Sequence, residues 1–216
     1  AACRGQSGVV NEVAKPKTEA APALFDLTSL QREANGRFGF SAKTTLSLAQ
    51  SLYERHKALT YPRTDSKHLP EDYINTVKAT MEAIAEGSGV SKGLAPHAAA
   101  ITKNGWVKPN KRIFDNKKVS DHFAIIPTLQ IPKELSEAEA KLYDLVVKRF
   151  LAIFFPAAEF RLTTRTTIVQ SHQFKSEGKV LVSPGWLAVW GREVQGEDAT
   201  LVAVAEGEKV RTEEVE

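Results

Sequence analysis

Cysteine is almost absent: Cys3 is the only one in 216 residues. That excludes an internal disulfide and a zinc site built on cysteines, and a reducing compartment is the simpler setting. Long hydrophobic runs are missing too. The longest, Phe150 to Pro156, falls far short of the ~20 apolar residues a membrane-spanning helix needs, so no membrane role is expected. No secretory signal is visible, and the chain starts Ala-Ala-Cys-Arg without Met, as a piece cut from a longer polypeptide would. Neither charge dominates, with 29 basic against 26 acidic residues and a net charge of +3. Such a balance permits nucleic acid as a partner but does not demand it, because a binding groove needs clustered charge. Internal repeats and low-complexity tracts are absent.

What is present suits a globular protein. Hydrophobic residues make up 42% and charged residues 25% of the chain, enough apolar surface for a sizeable core. A strand is predicted around Ser7 to Val13, followed by a connector, since Pro16 and Pro22 argue against helix. Helices are predicted from Thr28, read as N-cap of a capping box with Gln31, to Gly36 or Gly39, and from Ser41 to about Arg55 with Ala42, Leu46, Ala49 and Tyr53 on one stripe. Another runs from Pro70 to Gly87 on Ile74, Val77, Met81 and Ile84, with a short one from Pro96 to Ile101. Ser136 with Glu139 opens a last helix, ending near Ile153. From Glu159 the pattern alternates as in strands, with further strands at Val180 to Val182, Trp186 to Trp190 and Thr200 to Val204. The class is therefore α+β. Residues 1–22 and 156–216 form a β-rich domain, and residues 23–155 a mainly helical domain inserted into it.

The chemistry concentrates in Leu59-Thr60-Tyr61-Pro62-Arg63-Thr64-Asp65-Ser66. In extended backbone Tyr61, Arg63 and Asp65 point one way while Pro62 and Thr64 point the other. Pro62 fixes its own φ and drives Tyr61 toward extended conformations, so the stretch is stiff. A phenol beside a guanidinium is a plausible oxygen nucleophile, because arginine binds phosphate bidentately and spreads the charge of displacement. Asp65 is placed to orient Arg63. The plain alternative is a half-buried strand end with a surface ion pair.

The run Gln50-Ser51-Leu52-Tyr53-Glu54 followed by Leu59 to Asp65 resembles the active-site signature of type IA DNA topoisomerases. Two further blocks resemble that family in order and spacing: Thr28 to Ala34 with Phe38 to Lys43 upstream, and Asp121-His122-Phe123-Ala124-Ile125-Ile126-Pro127-Thr128 downstream. The flavour of the resemblance is that of bacterial topoisomerase III. The resemblance implies Tyr61 as nucleophile in a 5′-phosphotyrosyl transesterification, Arg63 on the scissile phosphate and His122 beside it, with Asp121 or a carbonyl fixing the tautomer of His122. It implies a helical domain carrying the tyrosine and a β-rich gate through which the family hinges. Single-stranded DNA is the implied partner, with Lys43, Arg63 and Thr64 as contacts, together with N-terminal domains of a parent chain and a bacterial cytoplasmic setting. An exposed, solvated Lys43 is the other reading of that residue. The basic loop Trp106 to Val119 likewise reads either as a phosphate contact or as a solvated segment.

The family's metal site uses an Asp-x-Asp pair in a separate N-terminal domain, and these residues contain none. Hard cations need neighbouring carboxylates, so no metal is expected here, Mg²⁺ is expected in the complete enzyme, and residues 1–216 alone are expected to show little strand passage. The competing function is a non-catalytic module for single-stranded DNA in which Tyr61 stacks on a base. Other tyrosine nucleophiles fit poorly: no His-x-His suggests a relaxase, and no His-x-x-Arg precedes the tyrosine as in recombinases.

Overall fold

The computed structural model describes residues 2–87, 89–191 and 208–211. The chain divides into two compact units, Ala1–Glu19 with Ala157–Glu216, and Ala20–Pro156. Helices fill the second and an antiparallel sheet the first, which is an α+β organisation with the helical unit lying between the two halves of the sheet unit in sequence.

In the helical unit, α1 spans Leu27–Phe38 and is capped by Asp26 rather than Thr28. The Asp26 carboxylate accepts the Ser29 N–H at 2.7 Å, and the Ser29 hydroxyl accepts the Asp26 N–H at 3.2 Å. A charged acceptor at the positive helix end draws the cap two residues upstream of the threonine. Gly39, at φ 71, closes the helix in the left-handed region that glycine enters freely.

Helix α2 spans Ala42–Glu54 with Ser41 as its cap. Its buried stripe is Thr45, Ala49 and Leu52; of the predicted face Ala49 is buried, Leu46 and Tyr53 are half-buried and Ala42 is exposed. Tyr53 is left half-buried, against the ring of Tyr61. A 3-10 turn, Glu71–Tyr73, leads into α3, Ile74–Ala85, which packs on α4, Ala95–Asn104. The centre of the core is α5, Glu137–Ala152, opened by the Ser136/Glu139 capping box. It packs on α1, α2 and α4, and Leu142, Val146, Phe150 and Leu151 are wholly buried. Each such side chain is worth about 1.5–3 kcal/mol of burial.

The sheet unit holds β1 (Ser7–Glu19), β2 (Ala158–Val169), β3 (His172–Ser183) and β4 (Lys209–Arg211) in the order β3-β2-β1-β4. Strand β1 runs through Pro16 instead of stopping at Val13. Pairing with β4 covers only Ser7 to Val9, so among the described residues Pro16 faces one partner, Arg161 of β2, and its missing N–H breaks no rung on the other side. Trp186 to Trp190 is not a strand but part of a 3-10 turn, Gly185–Trp190. Pro184 supplies a helical φ of −67 at its start, and Gly191 ends it at φ 73. The turn places Leu187 in a small core with Ala158, Phe160 and Leu181, and Trp186 Nε1 donates to the Glu19 carbonyl at 2.9 Å. The strand predicted at Thr200 to Val204 lies outside the described residues.

Candidate active site

The site begins where α2 ends. Lys57 adopts φ 53, a left-handed conformation uncommon outside glycine, and this reverses the chain from the helix into the tyrosine segment. Two hydrogen bonds fix the reversal: Ala58 N–H to the Leu52 carbonyl at 2.8 Å and Thr128 Oγ1 to the Lys57 carbonyl at 2.5 Å.

From Ala58 the segment lies antiparallel to residues 124–128, with a single bridge at Leu59 and Pro127. Thr60 N–H donates to the Ile126 carbonyl, and Thr128 N–H to the Ala58 carbonyl, both at 3.0 Å. Pro62 lacks the donor the next rung toward Ala124 would need, and the Ala58 and Ala124 N–H groups bond to the Leu52 and His68 carbonyls, so the pairing stays a bridge and does not extend into a ladder. Side chains complete what the backbone cannot. Thr60 Oγ1 donates to the Ala124 carbonyl at 2.9 Å and accepts the Ile126 N–H at 3.0 Å. Thr64 Oγ1 donates to the His122 carbonyl at 3.1 Å and accepts the Ser66 N–H at the same distance. Ser66 Oγ donates to the Lys118 carbonyl at 2.7 Å.

Pro62, Thr64 and Ser66 are buried while Arg63 and Asp65 are exposed, the alternation expected of extended backbone. Tyr61 is half-buried, with its ring centroid 4.2 Å from that of His122 and 5.4 Å from that of Tyr53, the latter edge-on at 79°. Thus two residues 61 positions apart in sequence share one small surface. Arg63 makes no hydrogen bond or ion pair among the described residues, which leaves its guanidinium open to an anion.

Asp65 does not orient Arg63. It accepts from the Ser120 hydroxyl at 3.4 Å, because that serine lies across from it on the same exposed side. Asp121 is exposed and has no hydrogen bond to His122. Thr64, one of the DNA contacts the resemblance implies, is buried, and its hydroxyl donates to the His122 carbonyl, which ties the two segments together. Lys43 is exposed in the first turn of α2. In the basic loop, Lys111 pairs with Glu71, Lys118 with Asp115, and Arg112 donates to the Ala21 carbonyl, so these three cations are tied to the fold.

Behind the site, Glu139 ties α5 to the end of α2. Its Oε1 accepts from Ser51 Oγ at 2.6 Å and lies 3.3 Å from His56 Nε2, while Oε2 accepts from Ser136 N–H at 2.9 Å. The Ser51 hydroxyl above all, and Ser136 after it, hold this carboxyl at about 2 against the opposing effect of burial. Nearby, burial and then the Lys118 charge push His68 below its ordinary value, while its carbonyl accepts the Ala124 N–H at 3.0 Å.

Thr60, Ser51, Glu139, Tyr53 and Lys57 line or support this site, and sequence reasoning, which met four of them in motifs, gave none of them a role of its own there. For Thr60 a signal existed: a hydroxyl in an extended, half-buried segment must find a partner. For Lys57 none did, since nothing local marks a lysine as left-handed. Among the described residues no group of three or more His, Cys, Asp or Glu is arranged to hold a metal ion, and no helix is long and apolar enough to cross a membrane.

A family model described as DNA topoisomerase matches residues 1–216. DNA topoisomerase 3 of Bacillus subtilis strain 168 is 43% identical over 214 residues, covering 95% of this chain and 29% of that protein. DNA topoisomerase 3 of Bacillus licheniformis is 44% identical over 215 residues, covering 96% of this chain and again 29% of the relative. Among solved structures, full-length topoisomerase I from Thermotoga maritima in a monoclinic crystal form matches with a TM-score of 0.67 at 25% identity, over 96% of this chain and 33% of that one. The chain therefore spans about 29% of the length of these curated relatives.

Proposed function

This chain belongs to the type IA DNA topoisomerase family, and on that premise we propose that it carries the nucleophile of an enzyme that cuts and reseals one DNA strand. The Tyr61 phenolic oxygen attacks the scissile phosphorus. A P–O bond to the phenolic oxygen forms as the phenol gives up its proton and the P–O3′ bond breaks, leaving a 5′-phosphotyrosyl link and a 3′-oxygen that takes up a proton to become the free hydroxyl. Resealing runs the same exchange backwards, so one phosphodiester replaces another and no ATP is consumed. Arg63, unpartnered among the described residues, meets the non-bridging oxygens, and its loss is expected to cost about 10²–10³ in rate. His122 donates to a phosphoryl or leaving oxygen.

The observation that carries this reading is the 4.2 Å approach of the Tyr61 and His122 rings beside Arg63, which has no partner among the described residues. Single-stranded DNA in the bacterial cytoplasm is the substrate this chemistry suits, gripped through its phosphates and by stacking. Among the described residues no cluster of carboxylates and imidazoles is arranged to hold a divalent cation. Mg²⁺ belongs to the complete enzyme, held by an acidic cluster in other domains, and residues 1–216 alone carry little strand passage. The β-rich unit serves as part of the gate.

The test is a covalent adduct. Full-length protein mixed with end-labelled single-stranded oligonucleotide and denatured should retain label, and Tyr61→Phe should abolish it while leaving binding intact. An undiminished adduct from Tyr61→Phe would mean another nucleophile, and binding without any wild-type adduct would favour a non-catalytic module.

A further inference from the structure

In front of Tyr61 lies a cleft of about 340 Å³, lined by Tyr53, Lys57, Leu59, Tyr61, His122 and Phe123 among others. That size is at the lower end for small-molecule sites. Its walls are chiefly aromatic and aliphatic. Lys57 is their one side chain with a fixed positive charge. Among the described residues its ammonium has no carboxylate partner; it sits 5.9 Å from the Tyr53 ring centroid. The backbone that presents this cation is unfavourable for lysine, at φ 53, and is held there by the Thr128 hydroxyl. Glycine would adopt that turn without strain, so a lysine at this position points to use of its charge.

An apolar slot with an unpaired cation suits a ligand that is flat and apolar at one end and anionic at the other. We propose that the cleft is a subsite for one nucleotide adjoining the scissile phosphate, with its base against Tyr53, Leu59 and Phe123 and its own phosphate on Lys57. This rests on Tyr61 being the nucleophile and assigns the neighbouring nucleotide a place. Contact with a base face tolerates any base, so the subsite positions the strand without selecting sequence.

The experiment uses the full-length protein and single-stranded oligonucleotides carrying one abasic residue at successive positions across the cleavage site. One position beside the cleaved phosphate should lower wild-type adduct yield about tenfold, as expected for loss of one stacked base. Tyr53→Ala should lose a similar factor on intact DNA and show no further loss at that position, while Tyr53→Phe, which keeps the ring, should behave as wild type. Lys57→Gln changes an exposed side chain, so it remains informative even if Tyr53→Ala does not fold. It should reduce the slope of log affinity against log salt by about 0.7, the signature of one lost contact to single-stranded phosphate. Adduct yield indifferent to abasic position, multiplicative losses in Tyr53→Ala, or an unchanged salt slope would each overturn the subsite alone. No wild-type adduct on any oligonucleotide would overturn the nucleophile assignment, and the subsite with it.

Discussion

Thr64 donates its hydroxyl to the backbone carbonyl of His122 at 3.1 Å, and so joins the tyrosine segment to a histidine 58 residues further along the chain. Together with Thr60, which bonds Ala124 and Ile126, it substitutes for the ladder that Pro62 interrupts. Tyr61 is thus held by side chains on either side of it, and among the described residues its own hydroxyl has no hydrogen-bond partner.

Thr64→Val keeps shape and removes the hydroxyl, leaving the His122 carbonyl and the Ser66 N–H unpaired in a buried place. A loss of about 1–3 kcal/mol is expected. Adduct formation, measured well below the melting temperature, should fall about 100-fold, because an ångström of misplacement costs about that much. Thr64→Ser, which restores the donor, should recover most of both.

Glu139 makes stability depend on acid. Its carboxyl sits at about 2 in the folded protein against an ordinary 4.5, so the unfolded chain binds the proton more readily. The stabilisation is complete above about pH 4.5 and is lost as pH falls toward 2. With each pKa unit worth about 1.4 kcal/mol, the shift corresponds to about 3 kcal/mol. Glu139→Gln should lower stability by roughly that amount at pH 7 and flatten the acid limb between pH 4.5 and 2 in urea titrations, while wild type shows the slope.

Lys57→Gly should part stability from function. Relief of the left-handed φ of 53 is expected to stabilise by about 1 kcal/mol, offset in part by the greater freedom of glycine in the unfolded chain. Loss of the cation should weaken single-stranded DNA binding at low salt. A variant that melts no lower yet binds several-fold less tightly is the expected outcome, checked by calorimetry and fluorescence anisotropy.

Arg149 anchors α5 to the start of the helical unit. It pairs with Glu33 at 3.1 Å, donates to the Ala23 carbonyl at 3.3 Å and lies 4.2 Å from the Phe25 ring centroid. Burial presses its guanidinium below the ordinary value and Glu33 opposes that, so the group stays charged and paired. Arg149→Ala leaves Glu33 with Arg37 as its remaining partner and empties space over Phe25. A loss of about 2–4 kcal/mol is expected, tempered by the partial exposure of Glu33. Arg149→Lys should recover little, because one ammonium cannot serve the carboxylate, the carbonyl and the ring face together.

Short-range rules in the sequence were enough to place most helices and to mark the tyrosine stretch. Ser136 with Glu139 announces α5 because both partners of a capping box lie within one turn, and the alternation from Pro62 to Ser66 follows from backbone geometry alone. Where two caps compete, as Asp26 and Thr28 do, the local signal is ambiguous to a couple of residues. Tolerance of Pro16 in β1 depends on how little of that strand β4 covers, which no local pattern encodes. The 3-10 turn at Trp186 was hidden because alternating apolar residues beside Pro184 fit a strand equally well until Glu19 and the small core claim the indole and Leu187.

The sequence by itself determined the kinds of groups available: a phenol, a guanidinium and an imidazole in blocks resembling one family. Tertiary structure alone decided that His122 meets Tyr61, that Thr64 turns inward to the His122 carbonyl, that Asp65 goes to Ser120 and not to Arg63, and that Lys57 lines the tyrosine's cleft. The reason is range. Caps and periodicity act over a turn or two of chain, whereas a hydroxyl or carboxylate takes whichever partner the packed helices bring within 3 Å or so, at any separation in sequence.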